Sequence, residues 1–326
     1  MDKPFLTFKE QLERLQVKGI SCESNEEKKI LIKKGYFNLV NGYKKPFVSR
    51  ILPDGTHVYY PETSIHKLSQ VFRFDRRLST ILLKNITHVE EEIRNISSYF
   101  FDYCNKDGGN WYSVSGYDPR VEPDLIKKLI SDIKDEIESS KRSNNSYINH
   151  YASKDYEIPT WIMIKVIKMT TFTKFLDYSC KNVKIKISEL FEMEYDSCNN
   201  DFKVLFGALN WMRKIRNACA HNERIMFIED DNKAIITKYH KKLSNAYQKR
   251  RNKQIIDLLI FLKYVNTKRD YNKLIGTLTA ELNQMRTVIG EVAFEKIRVG
   301  LGIRNIEHLQ IISNEPKVIN YLNLIY

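Results

Sequence analysis

The longest regular pattern in the chain lies between residues 64 and 103. Val71, Phe74, Leu78, Ile81/Leu82, Val89, Ile93 and Ile96 recur at intervals of three and four, the spacing that gathers apolar side chains on one helix face. The run DGGNWYSVSGYDP (107–119) ends that helix in a loop. Residues 121–142 predict a polar helix exposed on one side, and 143–157 a loop. From Pro159, a residue suited to a first helical turn, a second apolar helix is predicted to about Ser179. A third runs from about Phe202 to His221 and another apolar helix spans 254–266. Residues 270–326 read as two or three short helices.

The first 62 residues follow a different rhythm. Residues 1–45 read as short helices punctuated by Gly19 and Gly35, a helix-turn-helix-like unit. Thr7 stands as an N-cap, with Gln11 near the capping-box position. In 47–60, Val48, Ile51, Val58 and Tyr59 flank Pro53-Asp54-Gly55. Proline presets φ and glycine accepts positive φ, so this is a β-hairpin. There is no internal repeat. The fold class is mainly α: a helical unit with a hairpin (1–62), a helical core (63–266) and a helical C-terminal region (267–326).

With 326 residues the chain can bury a sizeable core in one to three domains. No run approaches the 18 or so apolar residues of a membrane span, and the start MDKPFLTFKEQLERL lacks a signal layout. A cytoplasmic protein with no membrane partner is expected. Cysteines at 22, 104, 180, 198 and 219 are odd in number and lack CxxC spacing, so neither a disulfide framework nor a zinc site is expected. With no phosphate-binding glycine loop and no metal-ligand cluster in the sequence, no cofactor is expected. The net charge of +13, from 53 basic and 40 acidic residues, points to a polyanionic partner, of which nucleic acid is the commonest. A merely solvating basic surface is the alternative. Nineteen tyrosines offer stacking faces for unpaired bases.

The third helix carries an anomaly. On a helical wheel, Val204, Leu205, Ala208, Leu209, Trp211, Met212, Ile215 and Cys219 form one apolar arc, and Arg216 falls inside it, about 20° from Leu205. Asn217 and His221 fall on the polar side. Arginine is rarely buried without a partner. Asp75, within the arc of the long helix, and Glu90, at its edge, are the candidate partners. The ordinary explanations are a structural ion pair, a stem that snorkels to water, and for His221 a helix-end cation facing the dipole. The functional explanation joins the two residues. Arginine presents a fixed fork of donors to phosphate, and histidine moves protons near neutral pH. RNA supplies its own nucleophile, the 2′-hydroxyl. A five-residue spacing separates the side chains by about 140° on an ideal helix, so convergence on one phosphate needs a bend, a curled arginine or two copies facing each other. Dimerisation is therefore expected.

Other basic residues bear on RNA. Residues 232–256 hold Lys233, Lys238, Lys241, Lys242, Lys249, Arg250, Arg251 and Lys253 with no acid and with Tyr247 interleaved. Lys241, Lys242, Tyr247, Lys249, Arg250, Arg251 and Lys253 are candidates for a backbone-tracking RNA surface; the alternative is a solvated loop. Arg50 and His57 flank the hairpin turn and read as surface residues. Arg304 and His308 stand too close together for the same chemistry.

RNACAH (216–221) resembles the R-x4-6-H motif of HEPN-superfamily ribonucleases, including the polar residue after the arginine. KPFLTFKEQLERLQVKGI (3–20), LIKKGYFNLVNGYKKPF (31–47), FRFDRRLSTILLKNITHVEEEIR (72–94) and RNACAHNER (216–224) resemble the bacterial abortive-infection AbiD/AbiF-like family, as PTWIMIKVIKMTTFTKF (159–175) does more weakly. The likeness covers most of residues 3–265. It implies an HEPN-like helical bundle that dimerises to pair two motifs in one site, metal-independent endoribonuclease activity, and toxin-like abortion of phage infection. Some such genes lie beside a structured noncoding RNA, and the resemblance therefore implies an RNA that could bind and restrain the protein. Carried over, Arg216 contacts the scissile phosphate, His221 is general acid or base, Asn217 orients substrate or histidine, and Glu90 holds Arg216. The implied product ends are a 2′,3′-cyclic phosphate and a 5′-hydroxyl. Lys165 and Thr170 stand where the family has an acidic residue and a glycine, and Asn222 where many relatives have a second histidine. These departures suit the second reading, a non-catalytic protein that forms a ribonucleoprotein with a partner RNA. A third is an adaptor that uses its helices only to dimerise.

Overall fold

A 40-residue helix, α3 (Ile65–Cys104), about 60 Å long, is the element around which the chain is organised. Ser64 caps it by accepting from the Lys67 amide. Leu68, Val71, Phe74, Leu78, Leu82, Ile86, Val89 and Ile93 form its buried stripe. Each contributes roughly 1.5–3 kcal/mol relative to exposure, so packing outweighs differences in helix propensity of a few tenths of a kcal/mol per residue. The computed structural model describes residues 5–153, 157–249, 251–317, 319 and 321.

Ahead of α3 stand α1 (Phe8–Val17), α2 (Asn25–Lys34) and an antiparallel hairpin of β1 (Val48–Ile51) and β2 (His57–Tyr59). Gly55 turns the hairpin at a φ of 81°, and Asp54 accepts from the Thr56 amide. Thr7 caps α1 as expected, but Glu10 closes the capping box and Gln11 bonds the Leu6 carbonyl. The reciprocal bond needs the third helical residue, and Gln11 is one position too far.

After α3 come α4 (Pro123–Arg142), α5 (Ser146–Ala152), α6 (Thr160–Val166), α7 (Met169–Tyr178), α8 (Lys181–Leu190) and α9 (Lys203–Ala220). A two-stranded pair, β3 (Asp230–Lys233) and β4 (Asn252–Lys253), encloses α10 (Lys238–Lys242) and α11 (Asn245–Gln248). The chain continues with α12 (Ile255–Val265), α13 (Lys268–Ile289), α14 (Glu291–Gly300) and α15 (Glu307–Asn314). Every residue of α12 is buried, as expected of a helix apolar on all sides. Helices α9, α12 and α13 pack on α3, and one apolar core runs from Leu15 to Ile312.

The mainly α class is as read from sequence; several elements differ in detail. The loop expected over 143–157 contains α5, capped by Asn145. The tail opens with a 22-residue helix, α13, longer than the short helices expected. The single helix expected from Pro159 to Ser179 is broken at Ile167-Lys168, where both residues are extended. No proline or glycine causes the break. Arg94 of α3 takes the freed carbonyls of Ile164 (2.6 Å) and Ile167 (3.1 Å), and Glu136 of α4 takes the Lys168 amide (2.5 Å).

The basic stretch after α9 is also corrected. Tyr247 is fully buried, its hydroxyl accepting from the Arg304 amide at 2.6 Å, so it offers no stacking face. Arg251 makes a bidentate pair with the buried Asp257 at 2.8 and 3.2 Å, and Lys253 faces Asp230 at 3.7 Å with its side chain 8% exposed. These three serve the interior because β4 and α12 need their charges and amides satisfied. Lys241 and Lys249 are exposed, Lys242 pairs with Glu315 at 3.6 Å, and Arg250 lies outside the described residues.

Asp257 also accepts from the Gln254 amide at 2.7 Å and faces His240 Nε2 at 2.9 Å. Burial pushes its carboxyl up, but the bond to His240 and the charge of Arg251 outweigh burial and hold it below its ordinary value. That stabilisation is present above the ordinary carboxylate value of 3.8 and is lost as pH falls through the lower folded value. Asp257→Ala is expected to cost about 3–5 kcal/mol in urea unfolding at neutral pH, since it strands a guanidinium. The gap from wild type should narrow in acid. A cost below about 1 kcal/mol, the scale of an exposed pair, would show that the network is not holding β4 to α12.

Candidate functional site

Helix α9 buries Leu205, Leu209, Trp211, Met212, Ile215 and Cys219, and the Trp211 indole donates to the Gln254 carbonyl at 3.1 Å. It ends at His221, the C-cap. Asn222 follows at a φ of 56°, its amide bonding the Cys219 carbonyl (3.2 Å), while the Glu223 amide bonds that of Ala218 (2.9 Å). This paired closure needs a left-handed residue, and asparagine tolerates that conformation better than most side chains. The departure at Asn222 thus has a backbone reason.

The chain leaving α9 is clamped by two adjacent residues of α3. Arg76 donates to the carbonyls of Asn222 (2.6 Å) and Glu223 (2.5 Å). Asp75, fully buried, accepts the amides of Ile225 (3.2 Å) and Met226 (2.9 Å), the Tyr43 hydroxyl (2.7 Å) and Arg76 (2.7 Å). Burial and the neighbouring Asp75 charge push the Tyr43 hydroxyl above its ordinary value, so it remains a donor. Asp75 is therefore corrected as a partner of Arg216: its oxygens are spent on the segment that follows His221.

Glu90 is the carboxylate that meets Arg216, Oε2 to Nε at 3.8 Å. Its Oε1 accepts from Arg94 Nε (3.1 Å) and Nη2 (2.9 Å). Arg94 is buried, lies 4.8 Å from the centre of the Phe172 ring, and has its basicity lowered first by burial, against the counter-effect of Glu90. Two guanidinium groups thus share one carboxylate, which leaves a net positive charge. Arg94 is committed to protein groups. Arg216 has a side chain 41% exposed, and its one further hydrogen bond among the described residues goes to Asn217 Oδ1 at 3.3 Å. The wheel put Arg216 within the buried arc; its long stem instead carries the charge out to water.

His221 is exposed, and among the described residues its ring makes no hydrogen bond or ion pair. The structure does not join it to Arg216 by a direct bond. Asn217 is exposed and lines a groove of about 610 Å³ with Asn210, Arg213, Lys214 and Lys253. Arg50 is an exposed hairpin residue, and His57 pairs in register with Ile51.

Two site residues escaped sequence reading. Arg94 is a charge on the apolar side of its helix, four residues after Glu90, and the rule that singled out Arg216 applies to it equally. Arg76 carried no such signal, because its partners are backbone carbonyls about 146 positions away. Among the described residues no group of three His, Cys, Asp or Glu could hold a metal ion, and no helix is long and apolar enough to cross a membrane.

No curated protein and no solved structure matches the chain. A family model described as Abi-like protein matches residues 29–227, from α2 through the segment clamped by Asp75 and Arg76. That is more than half of the chain, and the protein belongs to the Abi-like protein family.

Proposed function

We propose that the protein acts in abortive infection, an anti-phage defence, as an HEPN-type endoribonuclease that assembles its site from two copies. Family membership supports the defence role. The observation that carries the chemistry is the shared carboxylate: Glu90 neutralises one of two guanidiniums, and the surplus charge sits on the half-exposed Arg216. Such a group attracts a phosphate and stabilises the charge that grows on it during displacement. In the reaction, the RNA 2′-hydroxyl loses its proton and attacks phosphorus, and the 5′-oxygen leaves and gains a proton. The products are a 2′,3′-cyclic phosphate and a 5′-hydroxyl. His221 moves a proton in one of these transfers. The spacing along α9 argues that the histidine acting with a given Arg216 belongs to a second copy. The His221 ring, without a partner among the described residues, favours the other reading, a protein that grips a noncoding RNA without cutting it, since a catalytic histidine is usually oriented by a third group.

With cellular RNA in EDTA, wild type is expected to cleave and leave 5′-hydroxyl ends. His221→Ala should lose about 10²–10⁴-fold and Arg216→Ala about 10²–10³-fold. Mixing the two inactive variants should restore part of the activity if each supplies the group the other lacks. Full cleavage by His221→Ala would remove the histidine from the mechanism. One RNA retained by every variant, with no cleavage by wild type, would establish the non-cutting ribonucleoprotein.

Glu90→Gln tests the support beneath Arg216. It strands the buried Arg94 charge, so a loss of about 3 kcal/mol or more is expected. At temperatures where the variant stays folded, cleavage should fall more than RNA binding. Wild-type stability and cleavage in Glu90→Gln would refute the role assigned to the carboxylate.

A further inference from the structure

A large cleft lies against the segment that follows His221, with further walls from the hairpin and α14. It has a volume of about 1710 Å³, well above the roughly 300–1,000 Å³ of small-molecule pockets. A space of this size suits a polymer or chain segment.

Its lining is cationic. Lys44, Lys45, Arg50, Arg76, Arg224 and Lys296 contribute side chains, against Glu223, Glu229 and Glu295. Arg76 is set against Asp75, and Glu295 against Arg298 at 2.5 Å. Of the five remaining cations, Arg224 donates to the Gly42 carbonyl at 2.8 Å and Lys296 to that of Val48, so Lys44, Lys45 and Arg50 are set against Glu223 and Glu229 in the lining. Lys45 and Arg50 are exposed, with no acidic partner among the described residues. Lys44 is held below its ordinary value by burial and then by the charges of Lys18 and Arg14.

Aromatic rings are interleaved with these charges. Phe37 is 76% exposed at the rim. Phe227 has the Lys45 ammonium 5.3 Å from its ring centre, and Phe72 has Arg76 at 5.8 Å. Phe72 and Phe227 are met by protein cations, and Phe37 is the ring left open; cations around an exposed ring suit a flexible strand whose charge lies on its backbone and whose bases are unpaired. A folded acidic protein surface would use the charges and leave Phe37 in water.

We infer that this cleft binds a single-stranded segment of RNA and leads it past Asn222–Arg224 to the Arg216–His221 site. The inference rests on the RNA reading of that site and adds where the strand is held. It replaces the 232–256 stretch as the main binding surface, because Tyr247, Arg251 and Lys253 are committed to the interior.

The test uses the full chain with His221→Ala, in EDTA, and a labelled single-stranded RNA of about twelve nucleotides, a span within the site sizes of single-strand binders. Lys45→Ala/Arg50→Ala should weaken binding at least tenfold. It should also lower the slope of log affinity against log salt by about 1.4, as loss of two phosphate contacts to a single strand requires. Phe37→Ala should weaken binding about fivefold with the salt slope unchanged. Lys128→Ala/Lys134→Ala on α4 should do neither, and all variants should melt as the parent does. Equal losses in the two double variants, or no loss in either, would overturn the cleft while leaving the RNA reading intact. No RNA binding by the parent chain would overturn that reading itself. Polyglutamate bound in the cleft as tightly as RNA, and released by the same double variant, would replace the strand with an acidic protein partner.

Discussion

Arg94 is the interaction on which the rest of the structure depends. Its guanidinium is buried and has all of its strong contacts inside the protein. One side holds the carbonyls at the corner between α6 and α7; the other holds Glu90. A buried guanidinium without such partners would cost several kcal/mol, so the corner and the carboxylate are coupled through one side chain. Glu90, fixed in this way, presents its second oxygen to Arg216.

The same helix fixes the far end of the motif by other means. Asp75 and Arg76 collect amides and carbonyls from residues 222–226. Helix α3 thus holds α9 at two places, at Arg216 through a shared charge and beyond His221 through backbone hydrogen bonds. Both residues of the motif are positioned by a rigid element, and neither is covered. That combination suits the proposed site, which a second copy or a strand of RNA would complete.

The cleft has a different construction. It is walled by parts of the chain that are remote in sequence: the hairpin, the segment after α9, and α14. Lys44, Lys45 and Arg224 come from between the named elements, Arg50, Arg76 and Lys296 from β1, α3 and α14, and none comes from the long basic run. The run looked like the binding surface because charge density along a sequence ignores direction. Once β4 pairs with β3 and α12 is buried, two of its charges and its tyrosine point inward.

The periodicity of α3, the cap of α1, the hairpin turn and the extent of α9 were all legible in the chain, because each depends on neighbours three or four residues away or on one turn. That Arg216 needs a carboxylate from α3, Asp75 or Glu90, was legible for a related reason: a charge among apolar positions demands a partner. The break at Ile167-Lys168 was not, since it is made by Arg94 and Glu136 from other helices and no local residue forbids a continuous helix. Nor was the choice of Glu90 over Asp75, which turns on which carboxylate the exit from α9 has already consumed. The sequence by itself determined the extent of α3 and α9, the faces they bury and that Arg216 is a charge out of place. Only the tertiary structure decided which groups meet, because hydrogen bonds and ion pairs depend on distance in space, and chain separation carries little of that information.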